Sequence, residues 1–113
     1  LDIMATTVRV PVVRCHCESL TVELSCEASC QQILQCLKEQ EGVMIDCNQG
    51  SDMVNQVTPL NVEGSSSVHV SRIRSLYGKK NSKWFNIWCV ADNLRKGAAT
   101  NAVQILKNLL IST

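Results

Sequence analysis

The stretch 86-NIWCVADNLRKGAATNAVQILKNLL-110 joins three kinds of sequence. An apolar run with two β-branched residues and a tryptophan opens it and predicts a buried strand. A polar Asp92-Asn93 step follows, and the small residues at 97–99 precede a leucine-rich run. Because aspartate is a favoured N-cap, we predict a helix from Asp92 to about Leu110. The small residues would allow a close backbone approach, so the helix is expected to lie against another surface.

Outward from this stretch, the chain predicts alternating or β-branched strands and a second helix. Strands are predicted in residues 6–13, 19–25, 43–46, 68–75 and 84–91. The internal helix is predicted over 29–42, because Ser29 and Gln32 have the spacing of a capping box and Gly42 can end a helix. Loops or turns are predicted in residues 48–56, 58–67 and 77–83. This order predicts an α+β fold with a mostly antiparallel sheet, one internal helix and one C-terminal helix.

Composition narrows the class of protein. The 113 residues suffice for one small domain, and aromatic residues are only 4%, so the core is expected to consist of Val, Ile, Leu, Ala and Cys. No apolar run approaches the ~20 residues of a membrane span. The N-terminal residues lack both the basic flank and the apolar region of a signal peptide, so none is expected. We therefore interpret the cysteines as buried free thiols of a reducing compartment, cytoplasmic or plastid-like. The seven cysteines are residues 15, 17, 26, 30, 36, 47 and 89.

Charge is divided unevenly along the chain. Residues 1–69 hold three bases against nine acids, a net charge of −6, whereas residues 70–113 hold eight bases against one acid, a net charge of +7. The bases are scattered among apolar positions rather than gathered in a tail, so no nucleic-acid partner is expected. The basic half is expected to face an acidic neighbour or a phosphorylated small molecule.

Arg9 and His16 are the first candidates for chemistry. An arginine among apolar residues needs an anionic partner, and an imidazole titrates near neutrality and can accept a proton. Seven residues of straight strand would separate them by about 23 Å and place them on opposite faces. For both to reach one substrate, the chain must bend between them, and we expect that bend at Pro11 and at residues 14–17.

The Cys15-His16-Cys17 step leaves two further readings open. It suggests a metal site or a nucleophilic cysteine beside a base, although neighbours in a strand face opposite ways and make both unfavourable. We expect no metal. The five glycines, at 42, 50, 64, 78 and 97, are too dispersed for a dinucleotide-binding loop.

Four motifs together resemble a known enzyme family. They are VRVPVVRCHCESLTVEL at 8–24, TPLNVEG at 58–64, VSRIR at 70–74 and WCVADNLRKGAATNAVQI at 88–105. In this order they resemble the C-terminal portion of aspartate-semialdehyde dehydrogenase over roughly residues 6–110. The last motif is long and unusual, which makes the resemblance specific.

The resemblance implies an activity and three site residues. The family uses NADPH to reduce β-aspartyl phosphate to aspartate β-semialdehyde and phosphate, a step in lysine, threonine, methionine and diaminopimelate biosynthesis. An upstream cysteine forms a thioester with the substrate. Arg9 matches the arginine that binds the substrate carboxylate, His16 matches the acid/base histidine, and Asn93 matches a residue near the nicotinamide.

The chain also departs from the family pattern. None of its cysteines has the context of the nucleophile, the upstream lysine and arginine for phosphate are absent, and Ser71 stands where the family usually has glycine. The resemblance therefore implies a partial substrate and dimerisation domain at 1–91, and at 92–113 a C-terminal helix that docks on a dinucleotide-binding (Rossmann) domain missing from this chain.

The missing parts lead to two alternative functions. The first is a portion of an enzyme that forms a homodimer or homotetramer when complete, and the second is a non-catalytic module that associates with full-length subunits. In either case we expect the 113-residue chain alone to be inactive and to self-associate. No membrane partner is expected.

Overall fold

A computed structural model describes residues 3–46 and 57–111. Its strands and α-helices are β1 (His16–Ala28), α1 (Cys30–Lys38), β2 (Val43–Ile45), α2 (Pro59–Val62), β3 (Val68–Ser75), β4 (Ser82–Ala91) and α3 (Thr100–Ile111). The strands form one sheet in the order β1-β4-β3-β2. The β1–β4 and β3–β4 pairs are antiparallel and the β2–β3 pair is parallel. The predicted α+β class and mostly antiparallel sheet are confirmed.

The strand β4 is a central strand of the sheet, because it pairs with β1 on one side and with β3 on the other. Successive side chains of a strand point to opposite faces, so Val90 and Phe85, both fully buried, serve different faces. One face carries a cluster of Cys15, Val57, Val62 and Val90. On the other face lie Phe85 and residues of β3, and α1 packs against β2 and β3. Leucine and alanine, expected in the core, are absent from the buried core of the described residues, and Phe85 is its largest member.

The internal helix begins as predicted. The Ser29 hydroxyl accepts from the Gln32 N–H at 3.3 Å, and the Gln32 side-chain oxygen accepts from the Ser29 N–H at 2.8 Å. This capping box satisfies two backbone donors at the helix start. The helix ends at Lys38, earlier than the predicted Gly42, and residues 39–42 form a turn into β2. Gly42 has a φ of +78°, the left-handed conformation that glycine tolerates.

The strand predicted in residues 6–13 is wrong. These residues are exposed and form no strand, and the Val12 N–H donates to the Val10 carbonyl at 2.8 Å around Pro11. Proline has no N–H for a ladder, and no strand of the described sheet pairs with this segment. A β-branched composition favours a strand only where a partner is available.

The helix predicted from Asp92 begins eight residues later, at Thr100. Asp92 caps only one local turn, because its carboxylate accepts from the Leu94 N–H and its carbonyl accepts from the Arg95 and Lys96 N–H groups. The backbone then leaves helical geometry at residues 96–98, where Gly97 has a φ of +85°. No described atom of this chain lies within 4 Å of a Cβ added at Gly97, so within the chain the left-handed turn is what requires glycine here.

Arg95 and Lys96 both donate side-chain hydrogen bonds. Arg95 donates to the Ser66 hydroxyl at 3.1 Å and Lys96 donates to the Gln104 side-chain oxygen at 2.6 Å. Both partners are neutral. The basic residues here therefore hold the irregular turn to its surroundings through hydrogen bonds.

Ser71 places an unpaired hydroxyl inside the sheet, which the sequence did not indicate. Its side chain lies in β3 with 7% of its surface exposed, and its hydroxyl is the buried side-chain group without a hydrogen-bond partner in the described residues. An unsatisfied buried hydroxyl destabilises a fold by about 1–3 kcal/mol.

The cysteines of the described residues are all free, as predicted, but only Cys15 is buried, and Cys26 and Cys36 are exposed. Cys47 and the loop predicted at 48–56 lie outside the described residues. None of the helices in 3–46 and 57–111 is long and apolar enough to cross a membrane.

Candidate functional site

The start of β1 and the end of β4 meet at one end of the sheet. His16 pairs with Ala91 and Cys17 pairs with Val90, so the residue two positions beyond Ala91 comes close to the start of β1. There the Cys15 N–H donates to the side-chain oxygen of Asn93 at 3.0 Å. The structure thus places Asn93 beside Cys15, the residue directly before His16, so two of the three predicted site residues lie at this junction.

Arg9 lies upstream of this junction in an exposed segment. The chain turns between Val10 and Val12, and Cys15 adopts a φ of +77°, so the predicted bend between Arg9 and His16 is confirmed. Within the described residues, neither the Arg9 guanidinium nor the exposed His16 imidazole has a hydrogen-bond or ionic partner. Both side chains are therefore free to meet a ligand, and the roles of Arg9 and His16 stay predictions.

A buried ion pair lies directly behind the junction. The carboxylate of Asp92, which is 0% exposed, accepts from the Arg14 side chain at 3.1 Å and 3.0 Å, one contact for each oxygen. It also accepts from the Gly64 N–H at 2.8 Å and from the Leu94 N–H at 3.0 Å. On its outer side Arg14 lies 3.5 Å from Glu63. Every oxygen of the buried carboxylate is thus paired, as burial of a charge requires.

These contacts decide the ionisation of Asp92. Burial by itself raises the pKa of a carboxyl, but the N–H groups of Gly64 and Leu94 and the guanidinium of Arg14 together lower the pKa of Asp92 below its usual value. The carboxylate is therefore charged at neutral pH. Because its pKa is lowered by folding, its contribution to stability is present above the unfolded pKa and is lost as the pH falls through the folded pKa.

The thiols at the junction are not activated. Cys15 donates to the Pro59 carbonyl, with 3.4 Å between Sγ and O, and burial, followed by the charges of Asp92 and Glu63, raises its thiol pKa. Burial also raises the pKa of Cys17. A thiol with a raised pKa is a poor nucleophile at neutral pH, so the geometry favours a structural role for both.

Asn93 offers one donor group to a ligand at this junction. With its oxygen engaged by the Cys15 N–H, Asn93 has an NH₂ group that can donate to a ligand. Among the described residues, no group of three His, Cys, Asp or Glu side chains is arranged to hold a metal ion.

The Arg14–Asp92 pair is the feature that the sequence reading missed. Its partners are 78 positions apart, so no local spacing connects them. The available signal was an aspartate directly after a strongly apolar strand, which we interpreted as a helix cap.

The family of the chain follows from its similarity to known proteins. Residues 2–96 match the family model described as "Semialdehyde dehydrogenase, dimerisation domain". The chain belongs to this semialdehyde dehydrogenase family.

The relatives specify the family member. The chain is 38% identical to the aspartate-semialdehyde dehydrogenase of Rickettsia bellii over 97% of this chain and 31% of the relative, and 38% identical to that of Aquifex aeolicus over the same shares. A crystal structure of aspartate semialdehyde dehydrogenase II from Vibrio cholerae complexed with ASA has a TM-score of 0.73 and 37% identity, covering 90% of this chain and 29% of that one. The chain corresponds to the C-terminal portion of aspartate-semialdehyde dehydrogenases and spans about a third of the length of these relatives.

Proposed function

We propose that this chain is the C-terminal part of an NADPH-dependent oxidoreductase that converts β-aspartyl phosphate to aspartate β-semialdehyde and phosphate. In this proposal His16 transfers protons, Arg9 binds the substrate carboxylate and Asn93 contacts the nicotinamide end of NADP. The observation that carries the proposal is the hydrogen bond from the Cys15 N–H to Asn93, which places the start of the His16 strand beside the amide. The product supplies the biosynthesis of lysine, threonine, methionine and diaminopimelate.

The chemistry of each group suits its proposed role. His16 is exposed at the sheet end and can move a proton between a thiol or water and the reacting carbonyl group. A guanidinium such as that of Arg9 binds a carboxylate with two parallel hydrogen bonds. Since neither Cys15 nor Cys17 is activated, the nucleophilic cysteine is proposed to come from the part of the enzyme upstream of this chain.

The exposed apolar side chains of this domain support the proposal that it contacts other domains or subunits. The helix α3 exposes Val103 and Leu106, at 66% and 57%, and the segment before β1 exposes Val8 at 75%. We propose that α3 docks on the dinucleotide-binding domain of a complete subunit. The complete enzyme is proposed to be a homodimer or homotetramer, in line with the dimerisation domain that the chain matches. A cytoplasmic location remains a prediction, and the bacterial relatives give no support to a plastid.

The test is a chimera in which residues 3–111 replace the corresponding segment of the Vibrio cholerae enzyme. The expected result is NADP-dependent oxidation of aspartate semialdehyde with phosphate. His16→Ala is expected to lower kcat by about 10²–10⁴-fold, the usual contribution of a proton-transfer group. Arg9→Ala is expected to raise KM for the semialdehyde and also to lower kcat.

His69→Gln provides the matched histidine control. His69 lies 2.8 Å from the Ser65 hydroxyl, a contact that glutamine can keep, so kcat is expected to stay within about 2-fold. An inactive chimera that still binds NADP and assembles would instead favour the non-catalytic module, and an active His16→Ala variant would remove the proton-transfer role.

A further inference from the structure

Asp92 has no role in the proposed chemistry, yet it is the fully buried charged side chain of the described residues. A carboxylate in such a position is strongly disfavoured unless its oxygens are paired. Here both oxygens are paired twice, once by the Arg14 guanidinium and once by a backbone N–H, from Leu94 or from Gly64. This number of contacts on one side chain indicates that the position of the carboxylate is closely fixed.

The contacts join three separate segments of the chain. Arg14 belongs to the segment before β1, Gly64 to the turn after α2, and Leu94 to the turn after β4. A guanidinium held by two parallel contacts is fixed in orientation as well as in position. The ion pair therefore determines where the chain enters β1 relative to where it leaves β4.

Both proposed site residues lie next to this ion pair. Arg14 immediately precedes Cys15, whose backbone has the unusual φ of +77°, and His16 then begins β1. Asn93 immediately follows Asp92 and accepts the Cys15 N–H. A left-handed φ at a non-glycine residue is maintained only when surrounding contacts hold it. Two contacts hold the backbone at Cys15. Asp92 binds the side chain of the preceding Arg14, and Asn93 accepts the Cys15 N–H.

We propose that Asp92 and Arg14 are a positioning pair that fixes the His16 imidazole relative to the Asn93 amide, so that proton transfer through His16 depends on the buried carboxylate. This inference rests on the proposed function. A displacement of a reacting group by about 1 Å can lower a rate by about 100-fold. Loss of the pair should therefore lower turnover more than it weakens substrate binding.

The first measurement uses Asp92→Asn in the chimera. Asparagine keeps the size of the side chain and one acceptor oxygen but removes the charge that holds Arg14. We expect kcat to fall about 10–100-fold, while KM for aspartate semialdehyde changes less than about 3-fold. In a His16→Ala background the same change should have less than about a 2-fold effect, because both residues act on one step.

Arg14→Lys is the second variant, and it leaves the Gly64 and Leu94 N–H groups on Asp92. Lysine keeps the charge but loses the two parallel contacts, so a smaller fall in kcat is expected. Glu63→Gln is the matched control. Glu63 touches Arg14 only on its outer side, at 3.5 Å, and kcat should stay within about 2-fold.

A readout on the 113-residue chain separates positioning from catalysis. Hydrogen exchange of the Cys15 amide should be faster in Arg14→Lys and unchanged in Glu63→Gln. Unchanged Cys15 exchange, or an Asp92→Asn effect that is equal with and without His16, would overturn the positioning pair. An inactive parent chimera would overturn the proposed function instead, whatever the exchange data show.

Discussion

The junction of β1 with β4 and the helix α3 are neighbours in sequence but have opposite construction. At the junction, a charged side chain is 0% exposed and fully paired by groups of this chain. In α3 no side chain is buried, and Leu106 and Leu110 are 57% and 69% exposed. A charged side chain is buried only where its partners are present, whereas a contiguous exposed apolar face indicates an interaction surface. The charged group at the junction thus has its partners within this chain, whereas the apolar face of α3 remains exposed.

The largest expected effect tests the central strand against the helix. Phe85→Ala removes a fully buried ring from β4 and should lower the free energy of unfolding by about 3–5 kcal/mol. Leu106→Ala, at an exposed position, should change it by no more than about 0.5 kcal/mol. Urea unfolding of the 113-residue chain measures both. Equal losses would mean that α3 is part of the same core.

Gly97→Ala tests the turn that separates the two regions. Its φ of +85° is unfavourable for alanine by about 1–2 kcal/mol, although no atom blocks the added Cβ. Thermal unfolding should show a loss of this size or a loss of helix by circular dichroism. Ala98→Ser is the control, because position 98 is exposed and alanine and serine both carry a Cβ, so the backbone constraint is unchanged and the variant should behave like the parent.

Ser71→Ala tests the unpaired hydroxyl inside the sheet. Removing a buried group that has no partner should raise the free energy of unfolding by about 1 kcal/mol. Ser75→Ala, whose hydroxyl donates to the Lys79 carbonyl at 2.6 Å, should instead be neutral or destabilising. A lower melting temperature for Ser71→Ala would mean that its hydroxyl has a partner in solution.

The pH dependence of the sheet domain has a defined sign. Burial lowers the pKa of His69 below its usual value, with the charge of Asp46 acting in the opposite direction. Because the folded pKa is lowered, stability is full above the unfolded pKa of about 6.5 and falls as the pH decreases through the folded pKa. Melting temperatures between pH 7.5 and 5 should decrease, and His69→Gln should flatten this slope. A slope that His69→Gln leaves unaltered would assign it to other groups.

The smallest effect on stability belongs to α3, where a change in association is expected instead. Leu106→Glu places a charge on the exposed apolar face and should shift the isolated chain from self-associated to monomeric in size-exclusion chromatography. Its melting temperature should match that of the parent. A parent chain that is already a sharp monomeric peak would contradict the expected self-association.

Local signals in the sequence predicted a large part of this fold. Alternation placed β3 at 68–75 without error, and the apolar run at 84–91 located all but the first two residues of β4. The Ser29–Gln32 spacing predicted the helix start because both partners of the capping box lie within one turn. These features depend on neighbours a few positions apart, so the order of residues suffices to specify them.

The candidate site was predictable only in part. His16 and Asn93 were selected through motifs, but their adjacency depends on the pairing of β1 with β4. Residues 6–13 were misassigned because strand formation depends on a partner strand.

The sequence by itself determined the strand alternation, the capping box, the family motifs and the exposed apolar face of α3, since each depends on side chains close together in the chain. Only the tertiary structure decided the state of Asp92. Across 78 positions, Arg14 provides the charge that makes burial of this carboxylate possible, and a contact at that separation has no local signature. The same aspartate that the sequence predicts as a helix cap is, in the fold, the anchor of the junction.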